Sequence, residues 1–143
     1  MRIDKAVSTP GWIKGAECFS LFRDATGLFI VKTGRGWRIH FVPDGLIGAT
    51  LGQMAVNKVV AAMQQSATDV ERTLAPSNLD GEVRARKGSV FLPWQEIREV
   101  ALKSRYDGVP DLTFRGGSKK YRFQFDKGRD AEVEAFVSGW PGR

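Results

Sequence analysis

Two hydrophobic periods take turns along the chain, and the points where one gives way to the other mark its organisation. From 17 to 42 the apolar residues alternate with polar ones, which predicts strands at Glu17 to Arg23, Leu28 to Lys32 and Trp37 to Val42. The breaks between them, Asp24-Ala25-Thr26-Gly27 and Gly34-Arg35-Gly36, carry tight-turn chemistry and read as hairpin turns. In the third strand Trp37, Ile39 and Phe41 fall on one face, with Arg38 and His40 on the other.

From Gly45 to about Ala75 the period lengthens. Gly52, Val56, Val59, Met63, Ala67, Val70 and Leu74 recur at three- and four-residue spacing, the stripe of an amphipathic helix. One helix fits this pattern, and so do two, since Thr68 with Glu71 three residues on has the form of a capping box. Pro76 and Gly81 close the segment.

Alternation then returns in Ser89 to Leu92, Ile97 to Arg105, Asp111 to Arg115 and Lys119 to Phe125, parted by turns at Asp107-Gly108-Val109-Pro110 and Gly116-Gly117-Ser118. Tyr121, Phe123 and Phe125 share one face with Leu112 and Phe114, while Lys120, Arg122 and Gln124 take the other. A closing helix from about Lys127 sets Val133, Phe136, Val137 and Trp140 on one stripe, with acidic residues in its first turn to suit the helix dipole. The order predicts an α+β fold: an antiparallel barrel-like or two-sheet core of about seven strands, a C-terminal capping helix and a long helical insertion after the third strand, all in one domain over 1–143 with the insertion at about 45–75. A doubly wound parallel sheet, which alternates strand and helix, is excluded.

Composition narrows the function classes. The 143 residues can bury their own core, and 22 Lys plus Arg against 16 Asp plus Glu give a net charge of +6, a modest bias that allows an anionic partner without demanding one. One Cys and one His exclude an internal disulfide and the usual Cys/His zinc sites. No apolar stretch follows Met1 to Pro10 in the manner of a signal peptide, so a cytoplasmic location is expected, with a membrane-peripheral one allowed.

The run Phe91-Leu92-Pro93-Trp94-Gln95-Glu96-Ile97-Arg98-Glu99-Val100, followed by a strand pair and an amphipathic helix, resembles the second half of bacterial pleckstrin-homology-like and GRAM-like domains. Trp140 is similar to the tryptophan that many such domains carry on their closing helix. The resemblance covers most of residues 16 to 140 and implies a binding module. The helical insertion is not part of that minimal fold. The basic signature of its phosphoinositide binders is absent, because the first turn offers only Arg23 and the second has Lys32, Arg35 and Arg38 at the wrong spacing.

Residue types that do catalytic work are scarce and scattered. Cys18 reads as an inert strand thiol and His40 as an outward strand residue, and only a cross-strand meeting would join them as a dyad. Gly34-Arg35-Gly36 precedes a strand rather than the helix N-terminus that a phosphate loop needs. Glu96 with Glu99 and Asp130 with Glu134 read as solvated surface pairs. The nine Phe, four Trp and two Tyr read as core rather than a base-stacking platform, which disfavours a nucleic-acid partner. A non-enzymatic interaction module is therefore expected, with no cofactor, metal or catalytic residue, binding a protein partner or itself as a homodimer or larger assembly.

Two surfaces are candidates. Leu46, Ile47, Leu51 and Met54 lie off the helical stripe, on a segment about 46 Å long as one helix, and form a self-association or partner face. Gly45, Gly48 and Gly52 weaken that helix start by about 1 kcal/mol each, which close backbone packing or a flexible entry would explain. The stretch is interrupted by Gln53, Asn57 and Lys58 and does not read as a membrane span. On the C-terminal strands, Arg115, Lys120 and Arg122, joined by Lys103 and Arg105 if Val100 and Leu102 point inward, form a face for an anionic partner. The alternative function is a peripheral membrane module that binds anionic lipid through this basic face and the apolar helix start.

Overall fold

The computed structural model describes residues 1–8, 16–36, 62 and 65–143. Its seven strands are β1 (Arg2–Ser8), β2 (Ala16–Arg23), β3 (Gly27–Gly36), β4 (Val90–Pro93), β5 (Ile97–Ser104), β6 (Pro110–Gly116) and β7 (Lys119–Gln124). Helical residues 65–73 form α1, followed by a 3-10 turn at Pro76–Asn78, α2 (Leu79–Ala85) and, at the C-terminal end, α3 (Asp130–Val137).

The strands make one antiparallel sheet in the order β4-β3-β2-β1-β7-β6-β5, so the class is α+β as expected. Closure into a barrel is not seen, because β4 and β5 occupy opposite ends of the strand order. They are joined in sequence by a single 3-10 turn, Trp94–Glu96. β1 lies in the middle and carries the join: it pairs with β2 over much of its length and, among the described residues, with β7 at Val7 opposite Gln124.

The reading along the chain omits β1, and the reason is physical. Ile3 and Ala6 are both buried among the core residues and stand three positions apart, one too many for simple alternation. A bulge between them absorbs the extra residue, with Lys5 in the left-handed region at φ 58°. β5 repeats the device: Ile97 and Val100 both face the core, and Glu99 sits at φ 55° in the bulge between Arg98 and Ala101. Gly34-Arg35-Gly36 is not a turn, as the strand pattern suggested, but the end of β3, opposite Cys18, Glu17 and Ala16. The strand expected at Trp37 to Val42, with His40, lies outside the described residues, and so do Leu46, Ile47, Leu51 and Met54. Thr68 does not cap a helix, since it stands inside α1. α1 ends at Thr73, just before Pro76, as expected, but Gly81 does not close the helical region, because α2 runs through it.

One face of the sheet packs a continuous apolar cluster. Phe19, Leu21, Leu28, Ile30, Leu92, Leu112, Phe114, Phe123 and Phe125 meet Val133, Phe136 and Val137 of α3, and all are nearly inaccessible to water. The stripe expected of the closing helix is thus buried, but α3 starts at Asp130 rather than Lys127, and Trp140 lies beyond its end. Its indole packs 5.5–5.6 Å from the rings of Trp94, Phe114 and Phe136. On the opposite face of β2 and β3, Phe22, Phe29 and Val31 pack with Leu74, and Val70, Leu79, Val83 and Phe91 cover them. The helical region 65–85 therefore serves as a lid over one half of the sheet.

Two contacts measure how closely the halves fit. Trp140 is 4% exposed and its indole N–H has no hydrogen-bond partner among the described residues. Trp140→Ala is expected to cost about 3–5 kcal/mol in denaturant melts. Trp140→Phe should cost far less, because it keeps a ring while removing an orphaned donor. At the other contact, a Cβ on Gly116 of β6 would stand 2.5 Å from Leu92 Cδ1 of β4. Gly116→Ala should then cost about 1–3 kcal/mol by overpacking. That cost should shrink in a Leu92→Ala background, and strict additivity in the double variant would show that β4 does not press on β6 there.

Candidate functional site

The residues expected to form a basic face are brought together in part. The β6–β7 register sets Arg115 opposite Lys120 and Thr113 opposite Arg122, and the β5–β6 register sets Arg98 opposite Arg115 and Lys103 opposite Asp111. Arg115, Lys120, Arg122 and Lys103 therefore share the outer face, as alternation implies. Arg98 belongs there too. Simple alternation would have turned it inward with Val100, and the bulge at Glu99 reverses that parity. Arg105 lies past the end of β5, in the turn to β6, where it pairs with Asp107.

Much of this charge is already answered. Arg122 makes a two-pronged contact with Asp111, with Nε and Nη2 donating to the carboxylate at 2.6–3.1 Å, and this carboxylate holds the guanidinium above its ordinary pKa range. Arg115 Nε lies 2.8 Å from the Glu99 carboxylate. Such exposed pairs add little stability, but they cancel charge that would otherwise be free to meet a partner. Lys119 and Lys120 differ, for no carboxylate lies within ion-pair distance of either among the described residues.

Those two lysines stand at the mouth of a cleft of about 650 Å³. Its lining comes from five places in the chain: Ser8 at the end of β1, Glu17 and Phe19 of β2, Ile30 of β3, Gly88 to Val90 at the start of β4, and Lys119 to Phe123 of β7. The floor is apolar because Phe19, Ile30 and Phe123 are core residues whose inner faces border the opening. The walls are polar. Glu17, the cleft's carboxylate, is 3.3 Å from Lys32 Nζ and so largely neutralised. Ser89 Oγ accepts the Lys32 backbone N–H at 2.8 Å, which leaves its own O–H to donate.

Tyr121 links floor and rim. Its ring stacks on Phe114 at 5.2 Å between centroids, and Lys119 Nζ lies 5.0 Å from the ring centroid on the solvent side. Burial, with Glu96 nearby, raises the phenol pKa above 10, so the cleft presents a neutral hydroxyl under ordinary conditions. The chemistry on offer is that of a binding site: two ammonium groups without carboxylate partners among the described residues, hydroxyls, ring edges and an apolar floor. Cys18 sits half-buried in β2, facing Val7 and Gly34 in register, and His40, its suggested partner, lies outside the described residues. Among the described residues no group of three His, Cys, Asp or Glu side chains converges to hold a metal ion. Nor is any of their helices long and apolar enough to cross a membrane.

Sequence alternation identified Lys120 and Arg122 but not the cleft they flank. Ser8, Glu17 and Ser89 reach it only because β1 is inserted between β2 and β7, and Lys119 was passed over although it adjoins Lys120. Comparison with protein-family models, curated proteins and solved structures found no match to this chain.

The raised pKa of Tyr121 has a testable sign. A group whose folded pKa exceeds its unfolded value favours folding below the unfolded pKa and loses that contribution as pH climbs through the folded one. Stability should therefore fall as pH rises past about 10. Tyr121→Phe should lose less over that interval in melts followed by circular dichroism, and identical losses in both proteins would place the phenol in water.

Proposed function

We propose that the chain is a non-enzymatic interaction module of pleckstrin-homology-like architecture, and that the cleft beside β7 is where a protein partner docks. The architectural part rests on the element order. Four strands and then three fold around one apolar cluster, β4 presses on β6 at Leu92 and Gly116, and α3 with Trp140 plugs the cluster from one side. On this reading the open sheet behaves as two leaves hinged at Val7 and Gln124, a barrel-like arrangement without continuous pairing.

The observation that carries the functional part is the coincidence of shape and free charge. Arg115 and Arg122 on the outer face of β6 and β7 are paired with carboxylates, while Lys119 and Lys120, without ion-pair partners among the described residues, line a cleft that the core residues Phe19, Ile30 and Phe123 also border. A polar rim around an apolar floor is the usual anatomy of a contact site. A second reading, contact with an anionic membrane surface, draws on Tyr106. Its ring is 99% exposed in the β5–β6 turn, close to Lys103 and Arg105, and amphipathic rings beside basic residues suit the headgroup region.

One experiment separates the two. A photo-crosslinking benzoylphenylalanine is placed at Lys120 or at Tyr106 in the cells that make the protein. A discrete polypeptide adduct from position 120 is expected, with none from position 106. Lipid adducts from position 106 alone would favour the membrane reading, and no adduct from either position would contradict both.

A further inference from the structure

Three cations stand in one row across the C-terminal strands. Arg98 of β5 lies opposite Arg115 of β6, and Arg115 lies opposite Lys120 of β7, all exposed on the outer face. With neighbouring strands about 4.8 Å apart, the row crosses about 10 Å of sheet. Like charges directly opposite one another destabilise a strand pair, so the row works against the fold that contains it.

It is built on a strained backbone as well. Arg98 reaches the outer face only through the bulge in β5, where Glu99, a residue with a Cβ, takes φ 55°. The C-terminal end of the chain packs onto that bulge. Gly142 O accepts the Val100 N–H at 3.1 Å, and a Cβ on Gly142 would stand 2.7 Å from Arg98 Cα and 2.9 Å from Glu99 N, so glycine alone fits there. Strain that aims a charged side chain into a repulsive row points to a use for that side chain.

We propose that Arg98, Arg115 and Lys120 bind the phosphate group of a soluble oligophosphate or phosphate ester. Glu99 lies 2.8 Å from Arg115 Nε, which orients the guanidinium and leaves its far edge for another acceptor. Arg98 and Lys120 flank it without a hydrogen-bond or ion-pair partner among the described residues. Three cations around one point suit an anion with more acceptors than a second carboxylate would add. A phosphate group carries about −1.5 to −2 charge on three oxygens at neutral pH and meets all three. Competing acids on this face are already engaged: with Lys103 and Arg122 it holds five cations, against Glu99 on Arg115 and Asp111 on Arg122.

The surroundings select a ligand free in solution. Thr113 and Arg122 form the next row, and the large apolar side chains exposed among the described residues, Met1 and Tyr106, lie at the N-terminus and in the β5–β6 turn, so nothing beside the row would enter a bilayer. The site goes beyond the docking reading of the cleft and does not depend on it, although Lys120 borders both.

Isothermal titration calorimetry of the full chain with sodium tripolyphosphate tests the site. Saturable binding is expected at low salt, weakening as salt is raised. Arg98→Gln and Lys120→Gln should each weaken it several-fold without lowering Tm, because each relieves repulsion along the row. Lys127→Gln removes the same charge from the exposed loop after β7 and should leave binding unchanged. An equal loss in Lys127→Gln would reduce the effect to net charge and overturn the proposal, and so would the absence of saturable binding at low salt. A clear fall in Tm for Arg98→Gln alongside lost binding would make that residue structural and overturn its role as a ligand-binding group. A pelleting assay with phosphatidic acid vesicles separates the sources: capture that Arg98→Gln abolishes, with no binding of tripolyphosphate, would place the phosphate on a membrane and overturn the soluble ligand.

Discussion

The rest of the structure depends on a short length of backbone pairing. β1 holds β2 along one flank and reaches β7 through Val7 and Gln124, and that contact is what makes a single sheet of four strands on one side and three on the other. The cleft is lined from both sides of that join, by Ser8 of β1, Glu17 and Phe19 of β2 and Ile30 of β3 on one side and by Lys119 to Phe123 of β7 on the other, so the site exists only where β1 brings the two groups of strands together.

The joint is held from outside by polar contacts. The bulge that places Lys5 at positive φ sends its ammonium to the helical lid, where it donates to Thr68 Oγ1 at 2.9 Å and to both carboxylate oxygens of buried Glu71 at 3.2 Å. Arg2 donates to the Glu71 carbonyl and to Asp4, lies over the Phe22 ring, and so fastens the same strand to the same lid. Arg129, just before α3, donates to the Asp4 carbonyl from the C-terminal side. Three parts of the chain far apart in sequence meet on one bulged segment. An unpaired charge in such a setting would be costly, and the mutual satisfaction of these groups removes that cost. The bulge earns its strain by aiming one side chain.

How far this was legible in the sequence follows from where the simple periods hold. The alternation of Tyr121 and Phe123 with Lys120 and Arg122 is undisturbed, and both the core face and half the site were read from it. The α3 stripe of Val133, Phe136 and Val137 was equally plain. Alternation fails at bulges: the buried pair Ile3 and Ala6 hid β1, and the buried pair Ile97 and Val100 turned Arg98 to the outer face. Composition misled at Gly34 and Gly36, where the glycines extend a strand; a side chain at Gly34 would meet Ala67 of α1 at ordinary contact distance. The other half of the site, Ser8, Glu17 and Ser89, has no local signature, because its members are neighbours only through strand order.

The central claim is that the bulged strand β1 holds the sheet together and is itself held to the helical lid by Lys5 and Glu71, and a double-mutant cycle in denaturant melts tests it. Lys5→Met and Glu71→Gln should each destabilise the protein, and the double variant should lose less than the sum of the two, because the second change removes a partner already orphaned by the first. Strictly additive losses would show that the two residues do not act as a pair, and would contradict the claim.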